Sequence, residues 1–285
     1  MRIRKPCAAQ TAGLGNIFSQ KNNKGEENET MKKILALVLV LIMALGLAAC
    51  AAPAAPAEEP TPAAEPETEK VDSQAILAEL KTPAEESNWE RTTSSQEVID
   101  FLKVVAEHSA GRIILDTTTF ATEAGTPISY MIISDVAPAS PADVPEDKGV
   151  VYVNCNIHSG EIEGKESMMI FAREVAQGKH DDLLKDLVVI IVPNSNPDGN
   201  DNLGKNRITT QFTPKLVGTR AEGTGLNVNR DMTKLETACG RTIVKLMNDW
   251  NPILFIDAHA TDGSYMRHAV TYNWGLNAGT DAELL

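Results

Sequence analysis

The chain has 285 residues, with 26 Lys and Arg against 39 Asp and Glu; its formal net charge of −13 excludes nucleic acid as a main partner, which would require a basic face. Apolar residues make up 42%, ordinary for a soluble domain, and the four cysteines (Cys7, Cys50, Cys155 and Cys239) form neither a disulfide framework nor a CxxC metal pair. Length allows one or two domains, and much of the acidity (Glu58, Glu59, Glu65, Glu67, Glu69) sits in one low-complexity stretch, so the globular part is less acidic than the total.

Residues 1–30 are polar and lack a hydrophobic period. Lys32 and Lys33 then precede an apolar run from Ile34 to Ala49, a positive n-region and an h-region. The run falls short of the roughly 20 residues that span a bilayer comfortably. It closes on Leu47-Ala48-Ala49-Cys50, which resembles a bacterial lipobox and implies cleavage before Cys50 and lipidation of its thiol. Met31 is then the expected start, with residues 1–30 an upstream extension and 31–50 a lipoprotein signal peptide. Residues 51–70, mostly Ala, Pro and Glu, cannot bury a core and read as a disordered, semi-extended tether. Residues 71–285 form the folded domain, which the tether would hold at the outer face of the cytoplasmic membrane.

Within that domain the pattern predicts a short helix over 73–80 and a helix over 96–108 capped by Ser95, with Val98, Phe101, Leu102 and Val105 on one face and Gly111 as its stop. Segments 112–119 and 127–134 read as strands, and 138–148 as a turn-rich loop. A β-branched run over 150–157 predicts a buried strand, followed by a helix over 164–177. The continuous apolar run 187–192 is a strand buried on both faces. Residues 193–225, dense in Asn, Gly and Thr, read as mostly loop, and a helix is expected over 234–248. Ile253-Leu254-Phe255-Ile256 reads as another buried strand. Strands alternating with helices imply an α/β fold with a mainly parallel or mixed sheet flanked by helices.

The chemistry collects at strand ends. The strand over 150–157 runs into His158-Ser159-Gly160-Glu161, where a tight Ser-Gly step lets an imidazole and a carboxylate converge. By itself His-x-x-Glu also fits a capping His and a surface Glu. His259 closes a second strand in Asp257-Ala258-His259, and strand carboxyl ends are where open α/β sheets bind ligands. Asp257, two residues earlier, shares the His259 face and can back it as an outer carboxylate. Two loops add Asn194-Ser195-Asn196-Pro197-Asp198-Gly199, a turn by composition, with Arg207 beyond it, and Asn227-Val228-Asn229-Arg230-Asp231. Either arginine, taken singly, also fits a surface ion pair.

Together His-Ser-Gly-Glu after a strand, Asn-Pro-Asp-Gly, Asn-Val-Asn-Arg-Asp and the strand-terminal Asp-Ala-His resemble the zinc carboxypeptidase family, metallopeptidases of the carboxypeptidase A type. The resemblance covers about Val150 to Gly263. It implies one zinc ion held by His158, Glu161 and His259, with Arg230 and Asn229 on the substrate's terminal carboxylate and Arg207 polarising the scissile carbonyl. It implies a peptide or cell-wall peptide with a free carboxylate as substrate, while the lipobox resemblance separately implies a membrane association through Cys50. An acylase or amidase on the same fold, or an inactive carboxylate-binding lipoprotein, are the alternatives. Two features depart from the family. Asn227 stands where many relatives carry Asp behind a ligand His. The family's general-base Glu and its substrate-covering Tyr lie on later segments, and Glu283, Tyr265 and Tyr272 are not assigned those roles. The chain therefore reads as a C-terminally truncated fragment, expected to leave apolar surface uncovered and to turn over little. Glu163 and Glu166 read as helix-start carboxylates. Cys155 and Cys239 read as buried free thiols, and His108, His180 and His268 as structural.

Overall fold

The computed structural model describes residues 72–205, 207, 213–260, 268 and 270–272. The upstream extension, signal peptide, Cys50 and tether lie outside the described residues, as do Tyr265, Glu283 and the Thr261-Asp262-Gly263 end of the resemblance.

In chain order the described elements are α1 (Ser73–Glu79), α2 (Pro83–Glu86), α3 (Ser95–Glu107), β1 (Ile113–Asp116), β2 (Tyr130–Ile133), β3 (Gly149–Cys155), α4 (Glu163–Ala176), α5 (Asp181–Leu184), β4 (Leu187–Val192), α6 (Pro197–Asp201), β5 (Gly204–Lys205), β6 (Leu216–Val217), α7 (Ala238–Trp250) and β7 (Leu254–Ala258). The main sheet runs β1-β2-β4-β3-β7. The pairs β1–β2 and β2–β4 are antiparallel, whereas β4–β3 and β3–β7 are parallel. The sheet is thus mixed, and His158 and His259 follow the ends of two strands in its parallel half.

Side chains alternate along the central strands, and each face has its own core. Val151, Val153 and Cys155 of β3 join Val189 and Ile191 of β4 under α1, α3 and α4, through Leu77, Phe101, Leu102, Met169 and Val175. Val150 and Tyr152 join Val188, Ile190 and Val192 on the opposite face, under Ile243, Leu246 and Trp250 of α7. Burial on both faces explains why β4 reads as an unbroken apolar run.

Several local expectations shift. The α3 cap is Ser94, not Ser95: Ser94 and Glu97 form a reciprocal capping box, and the Ser95 hydroxyl instead donates to Pro197 O at 3.0 Å. Asn-Pro-Asp-Gly forms the first turn of α6, not a reverse turn, because Asn196 accepts from Gly199 N. The expected helix over 234–248 begins only at Ala238. Asp231 accepts from Glu236 N, Thr237 N and the Thr237 hydroxyl, holding the preceding turn out of the helix.

The expectation of a buried strand at 253–256 is corrected. β7 is an edge strand among the described residues, and Leu254, Phe255 and Ile256 are exposed by 51%, 36% and 42%. Its apolar character reflects capacity for burial on both faces. Among the described residues only β3 pairs with it. Cys155 and Cys239 are free and buried as expected, and burial pushes the Cys239 thiol up to about 12. Among the described residues no helix is long and apolar enough to cross a membrane.

Candidate metal centre

β3 ends at Cys155, and the chain then turns sharply and buries Ile157 in the core. The turn is made at Asn156, with φ +62°, and not at Gly160, which is not among the positive-φ glycines. Asn is one of the few side chains that tolerate this left-handed region. The Asn156 amide is held by Asn194 Oδ1 at 2.8 Å and Asn200 Oδ1 at 3.1 Å. The Ser159 hydroxyl donates to Asn196 O at 2.7 Å, and Glu161 N donates to His158 O at 2.9 Å. Gly164 lets α4 start directly against the sheet: a Cβ there would lie 2.9 Å from the Ala258 Cβ and 3.3 Å from the Cys155 Cβ. The close approach seats Glu161 beside the end of β7.

β3 and β7 are register neighbours, so His158 and His259 emerge at the same end of the sheet. Their rings pack edge to face with centroids 4.9 Å apart. Glu161 lies between them, with Oε1 3.0 Å from His158 Nδ1 and Oε2 2.7 Å from His259 Nδ1; Ala260 N also donates to Oε2 at 3.1 Å. One ligand atom from each of the three residues falls within 4.8 Å of the others, so the group can hold a metal ion. Two imidazoles and a carboxylate are the donor set of a catalytic zinc site. The outward nitrogens are also backed: His158 Nε2 faces Asn227 Oδ1 at 3.2 Å, and His259 Nε2 faces Asp257 Oδ2 at 2.9 Å. Acceptors on Nε2 leave Nδ1 as the nitrogen each ring turns toward the shared centre.

Electrostatics agree with this arrangement. Burial alone would raise the Glu161 carboxyl, but hydrogen bonds from His158, His259 and Ala260 N outweigh it and hold it down to about 2. Hydrogen bonds to Asp257 and then Glu161 raise His259 to about 9 against the opposing effect of burial. Glu161 therefore stands as a carboxylate that a divalent cation would meet without displacing a proton from it, whereas His259 would give up its Nδ1 proton as the cation binds.

The expected arginines are placed differently from one another. Arg230 closes the 3₁₀ turn Val228–Arg230, is exposed, and donates to Asn229 O at 2.7 Å. Asn227, which caps that turn, also touches His158, so Arg230 and Asn229 sit on the same short turn as a residue of the centre. Arg207 is not brought to the three ligands: its guanidinium donates to Asn202 O and lies over Gly204. The arginine beside the ligands is Arg220, whose Nη2 is 3.7 Å from Glu161 Oε1. Sequence reading passed it over inside the loop 193–225. Backbone bonds from Thr219 N to Gly199 O at 2.8 Å and from Ser159 N to Thr219 O at 3.3 Å carry its segment past the His-Ser-Gly-Glu turn. The available signal was a lone Arg shortly before Asn227-Val228-Asn229-Arg230 on one loop.

A zinc carboxypeptidase family model matches residues 100–248. Among solved structures the chain is similar to a metallo-carboxypeptidase from Burkholderia cenocepacia (20% identity, 59% of this chain and 41% of that one, TM-score 0.44). It is also similar to carboxypeptidase A from Helicoverpa armigera (17%, 66% and 50%, 0.43). A third likeness is to bovine thrombin-activatable fibrinolysis inhibitor, solved in complex with a tick carboxypeptidase inhibitor (15%, 61% and 62%, 0.45). The match thus spans about two fifths of the Burkholderia chain and half of the Helicoverpa one. No protein of curated function matches. With more than half of its residues under the family model, the chain belongs to the zinc carboxypeptidase family.

Proposed function

We propose that the protein is a zinc-dependent carboxypeptidase acting on peptides with a free terminal carboxylate. The observation that carries this reading is the convergence of His158, Glu161 and His259 with a guanidinium, that of Arg220, only 3.7 Å from the shared carboxylate. His158, Glu161 and His259 would hold the zinc ion, which would make a bound water acidic enough to serve as nucleophile near neutral pH. Arg220 places positive charge where a scissile carbonyl oxygen would gain negative charge, the role sequence reading gave to Arg207. Arg230, with Asn229, offers a planar fork to the substrate's terminal carboxylate. Asn227 orients His158 as a neutral amide, adding less basicity to the ring than a carboxylate would.

The test is metal content and peptide recognition together. The purified protein should hold one zinc ion per chain. It should bind a peptide with a free C-terminal carboxylate at least about tenfold more tightly than its C-terminal amide, the scale of one charge-assisted pair, and Arg230→Ala should abolish that difference. Any turnover should follow the same order. Equal binding of acid and amide would refute the carboxypeptidase reading, and selective cleavage of small N-acyl substrates would replace it with an acylase.

The same proposal places the protein at the outer face of the cytoplasmic membrane, anchored through a lipidated Cys50. Support comes from the Lys32-Lys33 n-region, the apolar run to Ala49 and the Leu-Ala-Ala-Cys junction. Metabolic labelling with a radioactive fatty acid should mark the wild type and not Cys50→Ser; label on both would count against the anchor.

A further inference from the structure

Asn154 is a polar residue near the carboxyl end of an otherwise apolar strand. Val150, Val151, Tyr152 and Val153 precede it, and it is fully buried. A buried amide costs free energy unless every polar end is used. Its register partner across the parallel ladder is Asp257, and Asn154 Nδ2 donates to Asp257 Oδ1 at 3.1 Å. The other oxygen of that carboxylate is the one 2.9 Å from His259 Nε2. On the far side of the amide, Asn154 Oδ1 accepts from the hydroxyl of Ser195 and, at 3.4 Å, from that of Tyr152. Ser195 is 1% exposed and Tyr152 fully buried. Burial raises the Tyr152 phenol, which therefore stays protonated and able to donate.

These contacts have a direction. A carboxylate only accepts, so the amide must turn its NH2 toward Asp257 and its oxygen toward the two hydroxyls. The reversed amide would set oxygen against oxygen and leave the hydroxyls facing NH2 donors. With Asp257 fixed as an acceptor on both oxygens, the proton of His259 is drawn to Nε2, and Nδ1 is the nitrogen offered to a metal. We infer that Asn154 and Ser195 are positioning residues for the metal centre: they form a one-way hydrogen-bond relay through Asp257 that sets the ring orientation and tautomer of His259. The inference rests on the zinc reading of that centre and deepens it.

The experiment uses the full chain loaded with Co²⁺ as the probe. It compares wild type with Asn154→Leu, Ser195→Ala and Ser195→Thr. One readout is Co²⁺ affinity by chelator competition; the other is the set of shifted, solvent-exchangeable ring N–H lines in the proton NMR spectrum. Asn154→Leu should weaken Co²⁺ binding about tenfold, the low end for an outer partner of a metal ligand. It should also lose or broaden the His259 N–H line while sparing the His158 line, which Asn227 supports. Ser195→Ala should move both readouts in the same sense and Ser195→Thr should restore them. A generally loosened fold would blur both histidine lines alike. Wild-type affinity with both N–H lines intact in Asn154→Leu overturns the relay. Should that variant not fold, Ser195→Ala indistinguishable from wild type does the same. A wild-type chain that takes up no Co²⁺ removes the metal reading itself, which separates the two failures.

Discussion

Glu161→Ala should reduce zinc affinity by about a hundredfold or more. Structural zinc sites gain about 10–16 kcal/mol from four ligands, so one ligand represents roughly 3 kcal/mol, and a factor of ten corresponds to about 1.4 kcal/mol. Glu161 has an added role: among the three it is the one whose side chain hydrogen-bonds both others, through Oε1 to His158 and Oε2 to His259. Removing it deletes a ligand and leaves two imidazoles edge to face with nothing to hold their Nδ1 atoms together. The control is Glu163→Ala. Glu163 is exposed, starts α4 and lines a cavity of about 280 Å³ beside Trp89 and Ile162. Loss of its charge changes the local field without removing a ligand, so affinity should stay within a few-fold, as for an exposed charge. Zinc competition against a chromogenic chelator measures both variants. Equal losses in the two would mean that negative charge in general, and not ligation by Glu161, attracts the metal.

Lys165→Met should destabilise the fold by about 3–5 kcal/mol, the usual cost of removing one partner from a buried ion pair. Lys165 is fully buried, and its ammonium donates to Thr93 O at 2.6 Å and Asn200 Oδ1 at 2.7 Å and lies 3.5 Å from Glu166 Oε1. Burial pulls its pKa down and the charge of Glu166 opposes that. The network joins three elements that frame the metal centre: α4, which follows Glu161; the segment leading into α3, through Thr93; and α6, through Asn200. Asn200 in turn supports Asn156, where the chain turns toward His158. Without the ammonium, the Glu166 carboxylate keeps only Thr93, whose hydroxyl donates to it at 2.9 Å. Adding Glu166→Gln to Lys165→Met should recover part of the loss, because the amide removes the uncompensated charge and still accepts from Thr93. Urea unfolding of the metal-free variants gives the numbers. A loss under about 1 kcal/mol for Lys165→Met would show that the pair contributes little beyond a packed apolar residue of that size.

The three residues that converge at the candidate metal centre were legible because their signals are local. Apolar runs mark β3, β4 and β7 within a residue or two, and the run Leu187–Val192 coincides with β4 end to end. His158 and His259 each follow such a run directly, and Glu161 is tied to His158 by a three-residue spacing. The cap of α3 was missed by one residue because Ser94 and Ser95 are equivalent as isolated side chains. Only the Glu97 carboxylate reaching back to Ser94 N, and the Pro197 carbonyl taking the Ser95 hydroxyl, tell them apart.

Arg207 and Arg220 show the limit. Both lie on one Asn-, Gly- and Thr-rich loop, and nothing in their neighbours ranks them. Which of them meets Glu161 depends on Thr219 pairing with Gly199 and Ser159, residues 20 and 60 positions away in the chain. Asn154 is the same case: by itself it is an odd polar residue in a strand, and it acquires a role only when β7 is laid beside β3 with Asp257 in register. The sequence by itself determined which residues end strands, and so which imidazoles and carboxylate are available to a metal, because hydrophobic period and chain turns act over a few residues. The tertiary structure alone decided the mixed strand order, the exposure of β7, the choice of Arg220 and the backing of His259. Those depend on ladder register and loop packing between distant segments, where side chains are selected by what the fold sets opposite them.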